Sequence, residues 1–571
     1  MNRRPGGVLA ADGCKNTRRE ETSWFDRRQS GIKHHPLVVR APFSYNTSRK
    51  LGRRLRHMTE TFSPEEIAIL SPYVSNTDLP VFTVQNLPEE VVAVLFAYYS
   101  RSKESLRRNL LKLIKEQDVD LGDHPGFQAG RESSSAALAK AKEKAREFHE
   151  KWVVGYGHAS VAEHAVAHIA IEDVSIVASK VIEDNRLASY TEKSTRYVVF
   201  DPEKYYKAPE LDGTGFEGLY HGTVSALMSA YAELTPKAIE KVKQLLPRGE
   251  KQSEIAYNAA CRAKACDVLR YILPAATFTN IGLTINGRSL EHMITKLLSH
   301  PLAEAARLGT IIKAEAEKII PTLLKYAGYN PYIAETNLEM TRLASEILGD
   351  AGVERGDSAE NRAAIVRFDP GAEDHLVAAV LYGYAQAGAA EVMALVRGMS
   401  LEQKEMVIDE YLSRRGNWDE PLRALEHVYY TFEAIVDYGA FRDIQRHRMA
   451  TQTTQAFTAA LGWETPPEMI EYGYETIFNE LMERAGSAYQ AISVQRPREA
   501  QYVLPLAYRQ RVLFTWNLRE LHHFVSLRSA KQGHASYRSI AQQAYRELER
   551  VHPLLARYIR VDLADYTLAR I

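Results

Sequence analysis

Arg446, His447 and Arg448 place two permanent cations around an imidazole at adjacent positions. Three neighbouring donors of this kind suit a ligand carrying several phosphates or carbonyls. A basic triplet is more often a solvated surface run, so its surroundings decide. Upstream, Glu426-His427 opens an apolar, aromatic run, Val428 to Phe432, and the triplet follows at the far end. A second constellation lies between Gly155 and His168. There His164 and His168 are four apart and could share a helix face, but no cysteine or carboxylate stands at diagnostic ligand spacing, so no metal is expected. Ser160 and Glu163 have the spacing of a capping box at a helix start.

These stretches belong to a larger internal pattern. Val91 to Tyr98 reappears as Val377 to Tyr384. Arg270-Tyr-Ile-Leu-Pro274 and then Asn286-Gly-Arg288 reappear as Gln501-Tyr-Val-Leu-Pro505 and Asn517-Leu-Arg519, with equal intervals from proline to asparagine. Ordered matches of this kind indicate a tandem repeat. The expected organisation is a basic tail over 1–57, a first repeat over 58–330, a linker over 331–372 and a second repeat over 373–571.

The order Glu-His, apolar run, Arg-His-Arg-x-Ala resembles the flavin-dependent thymidylate synthases, the ThyX-type enzymes. The rest of that family's signature stands in the other repeat: Ser189, Glu192, Ser194, Arg196 and Tyr197 follow Asp184-Asn185-Arg186, whereas the second repeat has Thr451, Ala456 and Thr458. Gly157-His158-x-Ser160-x-x-Glu163 also resembles a family element that lies against the flavin. The losses are complementary, so the resemblance implies one whole site across the two repeats. Glu192, Ser194, Arg196 and Arg270 would bind a nucleotide substrate, and Arg528 would polarise the uracil as the catalytic residue. His158, Ser160, Glu163, Arg446, His447 and Arg448 would hold FAD, with Asn517 and Arg519, or Asn286 and Arg288, closing around it. Helix surface is the plainer reading of both Asn-x-Arg pairs.

What the resemblance implies is reductive methylation of dUMP to dTMP, with methylenetetrahydrofolate and NADPH as co-substrates, in a homodimer that forms a pseudo-tetramer of repeats. Arginine forks and a serine hydroxyl answer the two charges of a phosphate. None of Cys14, Cys261 and Cys266 lies in a nucleophile motif, which agrees with a route that needs no thiolate. Asp443 and Thr451 depart from the family pattern, since an ionised acid accepts but cannot donate. They leave room for another pyrimidine nucleotide, or for a non-catalytic nucleotide-binding or scaffolding descendant.

The positioning elements must come from a large chain. Its 571 residues, 45% hydrophobic, can bury an extensive core, and a formal net charge of zero gives no field that favours nucleic acid or a membrane. No run is apolar enough to span a bilayer, and so few cysteines fit a reducing cytoplasm. Residues 1–57 read as a disordered tail or an over-extended start. Helices are expected over Pro88–Tyr99, Ser134–Trp152, Thr223–Leu246 and Glu475–Val494, and strands over Leu79–Val84, Ala165–Ile171, Arg196–Phe200 and Val428–Phe432. The expected fold is α+β and helix-dominated, two ThyX-like repeats each with a small sheet, the sheets being carried over from the resemblance.

Overall fold

The computed structural model describes residues 61–99, 104–115, 159–350 and 362–566. The basic tail, the expected helix Ser134–Trp152 and His158 lie outside these residues.

Each half is built on a strand that hands over to a helix through a polar cap. In the first half β1 (Val166–Ser175) runs into α2 (Ile176–Glu183), α1 being the earlier helix Glu89–Tyr99. Ser175 ends the strand and caps the helix, its hydroxyl accepting from the Ala178 amide at 2.9 Å. β2 (Ala188–Glu192) follows, then α3 (Glu217–Leu245), α4 (Glu254–Leu269), β3 (Phe278–Asn286), α5 (Gly287–Leu298) and α6 (Ala303–Ala316). The second half adds an edge strand, β4 (Arg362–Phe368), and then repeats the plan. β5 (Tyr429–Asp437) enters α7 (Tyr438–Ile444), with Asp437 accepting from the Ala440 amide at 2.7 Å. β6 (Thr451–Thr454), α8 (Glu475–Ser493), β7 (Arg509–Asn517), α9 (Leu518–Arg528) and α10 (Ala535–Val551) complete it.

The sheets are antiparallel, ordered β1-β3-β2 and β4-β5-β7-β6. Their registers superimpose the halves residue by residue. Ser189 faces Thr284 and Glu192 faces Ile281, while Thr451 faces Thr515 and Thr454 faces Val512. Alternation along β3 and β7 turns Ile281, Leu283 and Ile285, and Val512, Phe514 and Trp516, into the core.

The halves meet around a pseudo-two-fold. The Ala275 amide donates to the Leu504 carbonyl at 2.8 Å and Leu506 to Leu273 at 2.9 Å, with Ala276 to Tyr502 and Ala507 to Tyr271 further out. Such reciprocity marks an isologous interface, here within one chain. One hydrophobic cluster runs through both halves, and a smaller one around Leu70, Val91, Leu95 and Leu110 serves the N-terminal helices.

Several expectations need correction. Only Val84 of the expected strand Leu79–Val84 pairs, in a single bridge with Val74. Arg196–Phe200 is a turn and irregular chain, since Ser194 accepts the Val198 amide at 3.2 Å and no strand lies alongside. The extended segment is the polar run Ala188–Glu192 just before it. The stretch 331–372 is more than a tether: it holds the helix Pro331–Asp350 and contributes β4 to the second sheet.

Candidate functional site

At the end of β2, Glu192 projects into the junction of the halves, its carboxylate 1% exposed. Arg442 on α7 donates to Glu192 Oε1 at 2.7 Å, and Ser179 donates to the same oxygen at 3.0 Å. Lys180 and Arg446 approach Oε2 at 3.3 and 3.4 Å. Burial alone would raise this carboxyl's pKa, but Arg442, Lys180 and Arg446 outweigh it and hold it far below the usual range. Lys180 also pairs with Glu183. The chain after β2 turns sharply. Ser194 Oγ accepts the Arg196 amide at 3.2 Å, which turns the Arg196 side chain inward. There Arg196 holds Asp267 of α4 through Nε at 2.7 Å and Nη2 at 3.3 Å, and donates to Tyr537 Oη of α10 at 2.6 Å.

A second cluster adjoins the first. Arg270 Nη1 lies 3.3 Å from Asp443 Oδ2, and Arg528 Nη1 lies 3.9 Å from Asp443 Oδ1. Arg528 donates from Nη2 to the Asp443 carbonyl at 2.6 Å and from Nε to His447 Nε2 at 2.9 Å. That last bond fixes a tautomer. A nitrogen that accepts from guanidinium carries no proton, so Nδ1 bears it and donates to Glu520 Oε1 at 3.1 Å. Burial, with the Arg528 cation adding to it, holds His447 below its ordinary pKa despite Glu520.

Four of the arginines singled out in sequence, Arg270, Arg528, Arg196 and Arg446, thus act on the Asp443 carboxylate. The triplet divides its work. Arg446 keeps a half-exposed side chain, 47% accessible. His447 is buried and spends both nitrogens on Arg528 and Glu520. Arg448 donates to the carbonyls of Asn185, Arg186 and Ala188, while its counterpart Arg186 donates to the Ala450 carbonyl at 3.0 Å. The last arginine of each triplet therefore clamps the opposite half. Between the triplets lies a groove of about 430 Å³, lined by Asp184, Arg186, Ser289, His292, Lys296 and Arg448 among others.

The remaining candidates form scaffold pairs elsewhere. Asn286 and Asn517 cap α5 and α9, accepting the Ser289 and Glu520 amides at 2.9 and 2.8 Å. Arg288 pairs with Glu163 at 2.6 Å and Arg519 with Glu426 at 2.9 Å. Asn286 is five residues along β3 from the partner of Glu192, roughly 17 Å away. Asn286 therefore stands well along the sheet from Glu192, although the helices that the two asparagines start reach the site through Ser289 and Glu520, and Ser160 is exposed in the 3₁₀ turn Ala159–His164. His164 and His168 enter no metal-capable cluster among the described residues; the one such group is Asp212, Glu217 and His221. No helix of the described residues is long and apolar enough to cross a membrane.

Sequence reading missed Lys180, Glu183, Asp267, Arg442, Glu520 and Tyr537. Lys180 and Arg442 could have been found, since each stands four residues before the first member of its triplet. Asp267 and Tyr537 carried no signal, because only folding brings them to Arg196.

Comparison with known proteins finds the same two regions. Residues 120–322 and 364–554 each match the family model described as thymidylate synthase complementing protein. A UPF0159 protein of Chlamydia muridarum is 35% identical over 522 residues, covering 89% of this chain and 97% of that one. A UPF0159 protein of Thermoplasma acidophilum is 30% identical over 465 residues, or 75% of this chain and 91% of that one. A flavin-dependent thymidylate synthase of Thermococcus onnurineus is 32% identical over 166 residues, 28% of this chain and 58% of that protein.

Proposed function

The chain belongs to the thymidylate synthase complementing protein family, and from that premise we propose that it is a flavin-dependent enzyme methylating C5 of a uracil ring. The chemistry is that of dUMP conversion to dTMP, with methylenetetrahydrofolate as carbon donor and NADPH as reductant. One observation carries the reading: cations and acids of opposite halves meet in a single cluster, Arg446 against Glu192 at 3.4 Å and Arg270 against Asp443 at 3.3 Å. Sites in this reading form across the two repeats, and two chains assemble into a pseudo-tetramer.

FAD fits the residues in part. Arg446 and the groove bordered by Arg186, Lys296 and Arg448 offer donors to a diphosphate, although Asp184 in the same groove opposes one. Bound there, the flavin would supply the redox chemistry. The chain's own part is electrostatic. Arg528, held by His447 and by the Asp443 carbonyl, is a preorganised cation for charge that develops on uracil carbonyls. Because Arg528 and Glu520 engage both ring nitrogens of His447, His447 positions Arg528 and has no nitrogen left to transfer a proton.

A second reading, a non-catalytic descendant, is favoured by the bidentate hold of Asp267 on Arg196. Two measurements separate the readings. The purified full-length protein should take up FAD and show flavin absorbance near one per chain. With methylenetetrahydrofolate and NADPH it should release tritium from C5-labelled dUMP or deoxyuridine. A colourless protein that refuses FAD defeats the first reading; flavin uptake without tritium release moves the activity to another substrate.

A further inference from the structure

The arginines that the halves bring together are already occupied by acids of the same chain. Asp267 takes Arg196 through two nitrogens, and Glu192 takes Arg442 and Arg446. Arg270 is the extreme case. It is 1% exposed, and its Nε and Nη2 are buried with no hydrogen-bond partner among the described residues. Those two nitrogens lie over Gly439, where even a methyl group would stand 3.3 Å from each. Its third nitrogen faces the carboxylate of Asp443, which is itself 18% exposed and is the more accessible of the two. Arg528 flanks the other oxygen at 3.9 Å. At the matching position of α2, one residue after Lys180, the first half carries Val181, so the scaffold does not require an acid here.

We propose that Asp443 is an internal substitute for a substrate phosphate: it fills the anion place beside Arg270, so the chain takes its pyrimidine as a nucleoside in preference to the 5′-nucleotide. This rests on the flavoenzyme reading above and narrows its substrate class.

The physical argument is exclusion. A phosphate reaching Arg270 would stand within a few ångströms of Asp443, and like charges at that range cost roughly a hundred-fold in binding. Protonation does not relieve the clash. Burial would raise the Asp443 carboxyl, but Arg270, Arg528, Arg196 and Arg446 outweigh it and keep the group ionised. A nucleoside brings no such charge.

The experiment compares deoxyuridine and dUMP binding to the FAD-loaded full-length protein by calorimetry, with inorganic phosphate as competitor. In the wild type deoxyuridine should bind roughly ten-fold or more tighter than dUMP, and 10 mM phosphate should displace neither. In Asp443→Asn the preference should swing to dUMP by roughly thirty-fold or more. A wild type that binds dUMP at least as tightly as deoxyuridine, or within about ten-fold of it, overturns this proposal and leaves the flavin reading standing. The wild-type measurement decides even where the variant fails to fold. A chain that takes up FAD but binds neither ligand also overturns the proposal, whereas failure to take up FAD defeats the reading beneath it.

Discussion

Where the second half carries Arg446, the first carries Asp184; where the first carries Glu192 and Arg196, the second carries Thr454 and Thr458. Other positions are kept in both halves: the asparagine caps Asn286 and Asn517, the pairs Glu163–Arg288 and Glu426–Arg519, and the cross-clamps Arg186 and Arg448. A third class has been exchanged. In the first half a capping serine, Ser175, bonds Glu304 of α6 at 2.6 Å; in the second a capping aspartate, Asp437, bonds Ser536 of α10. The scaffold thus requires one carboxylate and one hydroxyl at that place and is indifferent to which element bears which. Duplicated groups hold the fold. Groups present once build the shared cluster, and there is one cluster for each pair of repeats.

This contrast can be broken most directly at Glu192. Glu192→Ala strands Arg442 in the junction, Lys180 keeping Glu183, and should cost about 3–5 kcal/mol in urea denaturation. Thr454→Ala, at the matching exposed position, should stay within about 0.5 kcal/mol. Equal losses would mean that the halves are not divided as described. The pH dependence has a definite sign. Because the folded-state pKa of Glu192 is depressed, its contribution is whole above the ordinary glutamate range, near pH 4.3, and is lost as pH falls below it. The Glu192→Ala variant should therefore show a flatter acid limb than the wild type.

His447 offers the next effect. Replacing it with Leu takes one hydrogen-bond partner from each of Arg528 and Glu520 and should cost about 1–3 kcal/mol, with a shift in the pH profile of any turnover. His447 is held below its ordinary pKa, and burial lowers His300 to about 4 and His522 to about 3. For such groups stability is whole above roughly pH 6.5 and declines as pH falls toward the folded values. A thermal scan series from pH 8 to 5 should show the decline, less steeply in the Leu variant. Smaller still, Asn286→Ala and Asn517→Ala should each cost about 1 kcal/mol, alike in both halves. Unequal costs would blur the line between duplicated and single-copy groups. Least of all, Glu163→Gln and Glu426→Gln should change stability by no more than about 0.5 kcal/mol, since the first pair is solvent-exposed and the second only half-buried.

Much of this was legible in the chain itself. The repeat could be read because equal intervals separate its motifs, and the sheet registers place the same residues opposite one another. Helices Glu89–Tyr99 and Glu475–Ser493 match their expected spans closely, the first because a proline and two acids mark its start and the second because its apolar spacing has a helical period. Strands were read less well. Leu79–Val84 looks strand-like in composition but pairs at a single residue, while β2, with the sequence Ala-Ser-Tyr-Thr-Glu, looks like loop and is a full edge strand. Pairing needs a neighbour, and composition does not reveal one.

For the site, sequence determined which residue types survive in each half, and from this the complementary loss could be inferred. Only the tertiary structure decided how those residues are spent. It sealed Arg270 under Asp443, gave Arg196 to Asp267, turned His447 into a prop for Arg528, and assigned the Asn-x-Arg pairs to caps and surface ion pairs. The reason is that a charged side chain's role depends on which opposite charge the fold brings within a few ångströms. In this chain those partners lie scores to hundreds of residues away in sequence.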